Sequence, residues 1–329
     1  MPRVVRIHEI GGPEVLRIEN IDVRAPEKGE VQIQVKGLGL NRAEAMFRSG
    51  HYLEAPKFPS RLGYEAAGIV KSVGQDVKNF SPGDIVSVIP PTGFDKYGVY
   101  GEVAVVPAQN VVKHPSSLSF IEASAIWMQY LTAYGALIDV AKLTKGDYVV
   151  IPAASSSVGL AAIQLANIVG AIPIATTRTS KKKKALEEVG VRHVIVTQDE
   201  DVTKRLQEIT QNEGARVVFD PVGGKGVQAL AEGMSFGGIM IEYGALSPEP
   251  TPFPLFTALL KCLTMRGYVL FEVINDSERV ACAVKFIVNA IEAKTLKPII
   301  DKIFTLDEIV DAHRYLESNQ QFGKIVVTV

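Results

Sequence analysis

The chain has 329 residues, a formal net charge of -1, and 47% hydrophobic against 22% charged residues. A chain of this size buries a sizeable core and, at about 150 residues per domain, is expected to form two domains; the balance excludes a disordered or collagen-like polymer and an overall basic bias toward nucleic acid. Arg6, His8 and Glu9 break the apolar run that a secretion signal needs, and the most apolar long window, 158–175, holds Gln164 and Asn167 and reads as helix then strand, so no membrane anchor is expected.

In chain order, residues 1 to about 115 read as short β segments punctuated by Gly and Pro, at 4–7, 16–23, 31–37, 65–73, 84–89 and 101–106. The pattern changes near Phe120 to a long helical stretch, 121–140. Strands at 148–152, 172–177, 193–197, 217–220, 239–243 and 267–271 then alternate with helices at 158–169, 181–189, 202–211 and 226–233. Such alternation implies a parallel sheet, and six strands suggest two mononucleotide-binding halves. The last segment, 276–329, pairs an apolar helix with a terminal strand, and by pattern alone could complete either domain. Two cysteines, Cys262 and Cys282, are too few for a disulfide framework and fit a reducing cytoplasm. The five histidines, His8, His51, His114, His193 and His313, never fall at metal-ligand spacing and read as surface or packing residues.

The segment with the most chemistry is the turn after residue 152. A strand is followed at once by Ala153, Ala154, Ser155, Ser156 and Ser157, then by a helix beginning at Val158 and Gly159. Set against G-x-G-x-x-G, the three glycine positions are Ala154, Ser156 and Gly159, so one glycine survives. A pyrophosphate needs a tight turn, room beside the backbone and helix N–H groups facing it, and Ala and Ser are nearly small enough for that. Hydroxyls of Ser156 or Ser157 would add donors. Alone, the turn also suits a strand-to-helix connection with no ligand.

Its downstream context sharpens the reading. An NAD site carries an acidic residue about 20 positions on, to accept from the ribose 2′-OH. From Gly170 through Leu186 there is none, while Thr177 leads into Arg178 and then Lys181 to Lys184, five cations in seven residues. Arg178 and Lys182 are expected at a 2′-phosphate, favouring NADPH over NADH, and the other lysines are read as a solvated helix face. RNA binding would rest on this lysine run alone and is set aside as the weakest reading.

Taken together, 39–44 (Gly-Leu-Asn-Arg-Ala-Glu), 48–52, 63–70 (Gly-Tyr-Glu-Ala-Ala-Gly-Ile-Val), 129–134, 219–224 and 323–326 resemble the medium-chain dehydrogenase/reductase superfamily along the whole chain, specifically its zinc-independent quinone oxidoreductase branch, which includes zeta-crystallin. The resemblance implies an α/β protein: an N-terminal GroES-like β-rich domain at 1–120, completed by 273–329, and a Rossmann doubly wound parallel sheet at 121–272, with the active site in the cleft between them. It implies a homodimer formed by edge pairing of the strand expected at 267–271. Where the zinc-dependent relatives have a first cysteine ligand stands Asn41, and Tyr64 replaces their histidine; neither Cys nor His occurs between Glu122 and Gly135, and 90–101 has no cysteine lobe. Without thiolate or imidazole ligands zinc is not expected.

For a metal-free site the expected acceptors are quinones or similar electrophilic small molecules, with enoyl thioesters or alkenals as the alternative, and a crystallin-like NADPH-binding protein with little turnover as the reading from another class. By resemblance, Asn41, Gln129 and Thr132 would lie near the nicotinamide, and Ala154 to Gly159, Thr177, Arg178, Lys182, Tyr243, Gly244, Ala245, Phe271 and Lys324 complete the expected cofactor residues. Tyr52 is the first candidate to bind the acceptor oxygen or supply a proton, with Tyr64 second and Asn41 beside them; solvent delivery of the proton stays open. His51 reads as a surface loop residue. Phe94, Tyr97 and Tyr100, in the loop expected before Gly101, are expected to wall the substrate site.

Overall fold

The computed structural model describes all 329 residues, Met1–Val329. Eight strands come first: β1 (Arg3–Ile7), β2 (Arg17–Asn20), β3 (Glu30–Gly39), β4 (Ser60–Arg61), β5 (Glu65–Val73), β6 (Ile85–Val88), β7 (Val103–Pro107) and β8 (Val111–Val112). Helices α1 (Arg42–Arg48) and α2 (Phe94–Tyr97) interrupt them, and α3 (Phe120–Ala123) and α4 (Trp127–Tyr134) follow. Strands β9 (Tyr148–Ile151), β10 (Ile172–Thr177), β11 (His193–Val196), β12 (Ala215–Asp220), β13 (Met234–Glu242) and β14 (Thr264–Gly267) then alternate with α5 (Ser157–Val169), α6 (Lys183–Glu188), α7 (Val202–Ile209), α8 (Gly226–Glu232) and α9 (Leu255–Lys261). After α10 (Phe271–Ile274) and α11 (Ser277–Glu292), the chain ends with β15 (Ile300–Thr305), α12 (Ile309–Glu317) and β16 (Lys324–Thr328).

Two compact units result: Met1–Met128 with Lys297–Val329, and Gln129–Leu296. In the first, β3 is the organising strand. It pairs along its length with β5, while its other edge is shared, by β7 over Glu30–Gln34 and by β16 over Gly37–Gly39. Two register shifts against β5, between Gln32 and Ile33 and between Val35 and Gly37, give the extra twist that lets one edge serve two partners. Gly68 permits the closest approach, since a Cβ there would stand 2.1 Å from the Gln34 carbonyl oxygen. The tail, ambiguous by pattern, completes this unit: β16 pairs with β3, and β15 with β16.

The second unit is a six-stranded sheet ordered β11-β10-β9-β12-β13-β14, all parallel. This is the doubly wound dinucleotide-binding order, which reverses between β9 and β12, so the ligand crevice lies at the carboxyl ends of those strands. Val149, Val150 and Ile151 of β9 are fully buried, as expected of a strand covered on both faces.

Three sequence expectations shift. The unit boundaries fall at 128/129 and 296/297 rather than 120/121 and 272/273, because α11 is fastened to the second unit by Arg279 on Asp139 (2.6 Å) and Phe286 against Tyr134 (5.3 Å between ring centres). The helix expected over 121–140 is broken into α3, α4 and a π-helical turn, Gly135–Val140; a Cβ on Gly135 would stand 2.1 Å from the Tyr268 hydroxyl, which presses into the helix there. The last strand of the second sheet is Thr264–Gly267, not 267–271: Tyr268 N donates to Glu242 O and the backbone then turns into α10.

Candidate functional site

At the end of β9 the backbone makes its sharp turn on Ala153, whose φ of 47° puts an alanine in the left-handed region that glycine fills at lower cost. Ala154 is fully buried and its N–H donates to Thr176 O of the neighbouring strand. Ser156 is the N-cap of α5, its Oγ accepting from Gly159 N at 3.0 Å. That bond leaves the Ser156 O–H free to donate. Gly159 is required: a Cβ would stand 2.7 Å from Ala154 O and 2.8 Å from Ala154 Cα. The surviving glycine thus serves the contact of helix on strand, and α5 carries no acidic residue in its first turn to repel an anion.

On the adjoining strand end, Lys182 Nζ donates to Ser155 Oγ at 3.2 Å, which brings the expected 2′-phosphate cation to the turn itself. Arg178 is exposed one residue beyond Thr177, whose Oγ1 donates to Thr179 O at 3.4 Å. Past β13, the Tyr243 ring stacks on Phe219 (3.9 Å, 18°) and its hydroxyl faces Ser156. Gly244 and Ala245 follow, exposed; a Cβ on Gly244 would stand 2.7 Å from Pro221 O. Gln129 and Thr132 are buried on α4, and Phe271 is partly buried. Small residues, serine hydroxyls, two cations and a helix first turn without a carboxylate fit a phosphorylated dinucleotide.

Two carboxyls of this unit carried no sequence expectation. Asp220, buried at the end of β12, accepts from Val222 N (2.8 Å) and Gly223 N (3.1 Å) and so shapes the turn before Gly224; burial raises it above the usual carboxyl range. Its register partner Glu242 is raised to about 8, by burial and then by Asp220.

In the first unit Asn41, Glu44, Glu65 and Lys324 form a buried polar cluster. Lys324 Nζ donates to Asn41 Oδ1 and to Glu65 Oε2, each at 2.6 Å, with both charged side chains at 0% exposure. Glu65 Oε1 accepts from Ile126 N (2.7 Å) and Met128 N (3.3 Å). Asn41 Nδ2 donates to Gly39 O (3.2 Å) and Glu44 Oε1 (3.1 Å), and Glu44 also takes Asn41 N and Tyr64 N. Burial, opposed by Asn41 and Lys324, raises the Glu44 carboxyl to about 7. In the structure Lys324, expected from the resemblance at the cofactor, is the buried counter-ion of Glu65, and the Asn41 amide hydrogen-bonds to Gly39 and Glu44. Asn41-x-x-Glu44 is a capping box, so Glu44 was readable from the spacing. The Lys324–Glu65 pairing spans 259 residues and was not.

Tyr52 is partly buried and receives a hydrogen bond from the Tyr64 hydroxyl at 3.4 Å. Tyr64 is 1% exposed, its ring 4.0 Å from that of Phe94, and it donates to the Tyr52 oxygen. Burial raises both phenols, which stay protonated at neutral pH. The expected wall of Phe94, Tyr97 and Tyr100 is not formed: residues 94–97 make a helix, Phe94 and Tyr100 are core, and Tyr97 donates to Glu30 at 3.0 Å. His313 is wholly buried and pushed down to about 3, by burial and by Arg48 and Arg42, as befits a packing residue. No group of three or more His, Cys, Asp or Glu side chains is placed to hold a metal ion.

Two family models match, one described as an alcohol dehydrogenase GroES-like domain over residues 27–116 and one as a zinc-binding dehydrogenase over 157–289. Quinone oxidoreductase 1 of Escherichia coli is 34% identical over 247 residues, 75% of this chain and 74% of that protein. A 2-haloacrylate reductase of a Burkholderia species is 28% identical over 332 residues, 98% of this chain and 97% of the relative. Among solved structures, Escherichia coli quinone oxidoreductase complexed with NADPH superposes with a TM-score of 0.92 at 29% identity, covering 99% of this chain and all of that one (100%).

Proposed function

Since the chain belongs to the quinone oxidoreductase branch of the medium-chain dehydrogenase/reductase family, we propose that it is an NADPH-dependent oxidoreductase acting on a quinone or similar electrophilic acceptor. The observation that carries this is the turn from Ala153 to Gly159 with Lys182 Nζ on Ser155 Oγ: a small-residue turn into a helix N-terminus with a cation beside it, and no acidic residue from Gly170 through Leu186. Bound NADPH supplies the hydride. The protein's part is to hold the cofactor through the α5 N-terminus, Ser155 to Ser157, Arg178, Lys182, Tyr243 and the backbone of Gly244 and Ala245. Thr177 shapes the strand end for them, and Gln129, Thr132 and Phe271 serve the nicotinamide end.

Tyr52 binds the acceptor oxygen and gives it a proton as negative charge develops there, with Tyr64 donating to the Tyr52 oxygen behind it. The reaction runs without zinc: Asn41 and Tyr64 stand at the positions of zinc ligands in the metal-dependent relatives, and neither is a metal-binding side chain of the kind zinc takes. A second reading, reduction of an activated carbon–carbon double bond, is favoured by the 2-haloacrylate reductase likeness.

Two copies pair through the second unit. The edge strand β14 is followed by Val269, and α9 before it leaves Phe256 and Leu260 each 79% exposed and Leu259 64%. Exposed apolar side chains gathered on one helix suit contact with a second copy. The cytoplasm is the proposed home, since Cys262 and Cys282 are free and exposed and no helix is long and apolar enough to cross a membrane.

The test is absorbance at the nicotinamide band with NADPH or NADH and a panel of 1,2- and 1,4-quinones, enals and enoyl thioesters, with and without a chelator. Quinone-dependent oxidation of NADPH, faster than of NADH and unaffected by chelation, is expected. Enals or enoyl thioesters as the better acceptors would establish the second reading; NADPH binding with inertness toward all three would establish a binding protein instead.

A further inference from the structure

Arg61 carries a charge that the fold does not neutralise. Its Nη2 donates to Val103 O at 3.0 Å, its Nε is buried without a partner, and no carboxylate pairs with it. Burial, then repulsion from Arg24 and Arg6, pushes it down to about 10, so it is still a cation at neutral pH. The neighbouring cations are differently placed. Arg24 and Lys96 are both held on Glu30, whose carboxyl is pulled down to about 2, by Arg24 first. Arg61 as a whole is partly buried; a cation half withdrawn from water with no counter-ion is destabilising, and a bound anion relieves it. Arg61 lies on the wall of a cavity of about 360 Å³, lined also by Arg24, Lys96, Asp22, Asp95 and Val23.

We infer that this cavity is a binding site for a small monocarboxylate, anchored by the Arg61 guanidinium. The planar fork matches a carboxylate, and Asp22 and Asp95 on the same wall disfavour a multiply charged phosphate. The site has a route to the tyrosine pair. Asp95 and Lys96 belong to α2, and Phe94 of that helix packs on Tyr64 (4.0 Å) and lies 6.1 Å from Tyr52 between ring centres. A carboxylate seated on Arg61 therefore bears on the helix that backs Tyr52.

The experiment is calorimetric titration of the full chain, saturated with NADP⁺ to occupy its own phosphate sites, with sodium benzoate, inorganic phosphate or benzyl alcohol at constant ionic strength. Benzoate is expected to bind saturably at one site, phosphate more weakly, and benzyl alcohol not at all. Arg61→Met weakens benzoate about tenfold or more, and Asp95→Asn strengthens it several-fold by removing a repelling charge. Absence of saturable benzoate binding, an affinity indifferent to Arg61→Met, or phosphate binding as well as benzoate would overturn the assignment. Should Arg61→Met fail to fold, Asp95→Asn decides: an unchanged benzoate affinity counts against the site.

Discussion

Lys324 donates to Asn41 across 283 residues of chain, at 2.6 Å, in a place where both are buried. The contact closes the first unit, because it ties the last strand to the N-cap of α1, and the same Lys324 ammonium is the counter-ion of Glu65. Removing it strands a carboxylate. Lys324→Met is expected to lose roughly 3–5 kcal/mol of stability by urea denaturation. Adding Glu65→Gln should recover part of that loss, and a double mutant no more stable than the single would show that the charge is not the cause.

Glu44 makes stability depend on pH. Its carboxyl is raised by burial to about 7 from 4.5, so the folded protein keeps a proton that the unfolded chain releases. The stabilisation is complete below pH 4.5 and falls as pH rises to about 7, by about 3 kcal/mol in total. Urea midpoints at pH 5 and pH 8 check this. Wild type should be weaker at pH 8 by more than the Glu44→Gln variant, which retains the acceptor oxygen but cannot titrate.

Arg178 and Lys182 should discriminate between cofactors. Replacing either with Ala removes a charge-assisted contact worth about 1.5–3 kcal/mol, so KM for NADPH rises roughly 10- to 100-fold. NADH kinetics should barely move. Equal losses for both cofactors would remove these residues from the 2′-phosphate.

Tyr52→Phe is expected to lower kcat roughly 10²-fold if the phenol delivers the proton, and Tyr64→Phe to lower it much less, since Tyr64 acts through a long 3.4 Å bond. An undiminished rate in Tyr52→Phe would hand the proton to solvent.

The apolar face of α9 predicts association. Phe256→Glu with Leu260→Glu should convert a dimer to a monomer in light scattering at unchanged helix content. Wild type that is already monomeric at micromolar concentration would rule out the pairing.

The sequence by itself determined the centre of the second unit, because strands β9 to β12 are largely buried and read as apolar runs, and some of its helices carry caps that local chemistry specifies, such as Ser156 before α5 and Asp201 before α7; the edge strand β14, with no buried residue, was the one misplaced. The turn proposed to hold the cofactor was legible as a strand-to-helix turn because β9, the small residues, Gly159 and the cations after β10 lie within one stretch of chain. Local pattern failed where a distant group intervened. The helix over 121–140 yields to Tyr268, the aromatic loop around Phe94 folds inward onto Phe47 (4.3 Å between ring centres), and α11 joins the unit to which Asp139 holds it. Only the tertiary structure could decide that Lys324 meets Glu65, that Tyr64 stands behind Tyr52, and that Arg61 is left without a counter-ion. Charge compensation and hydrogen bonding are properties of proximity in space, and residues this far apart in sequence carry no periodic signal of their partners.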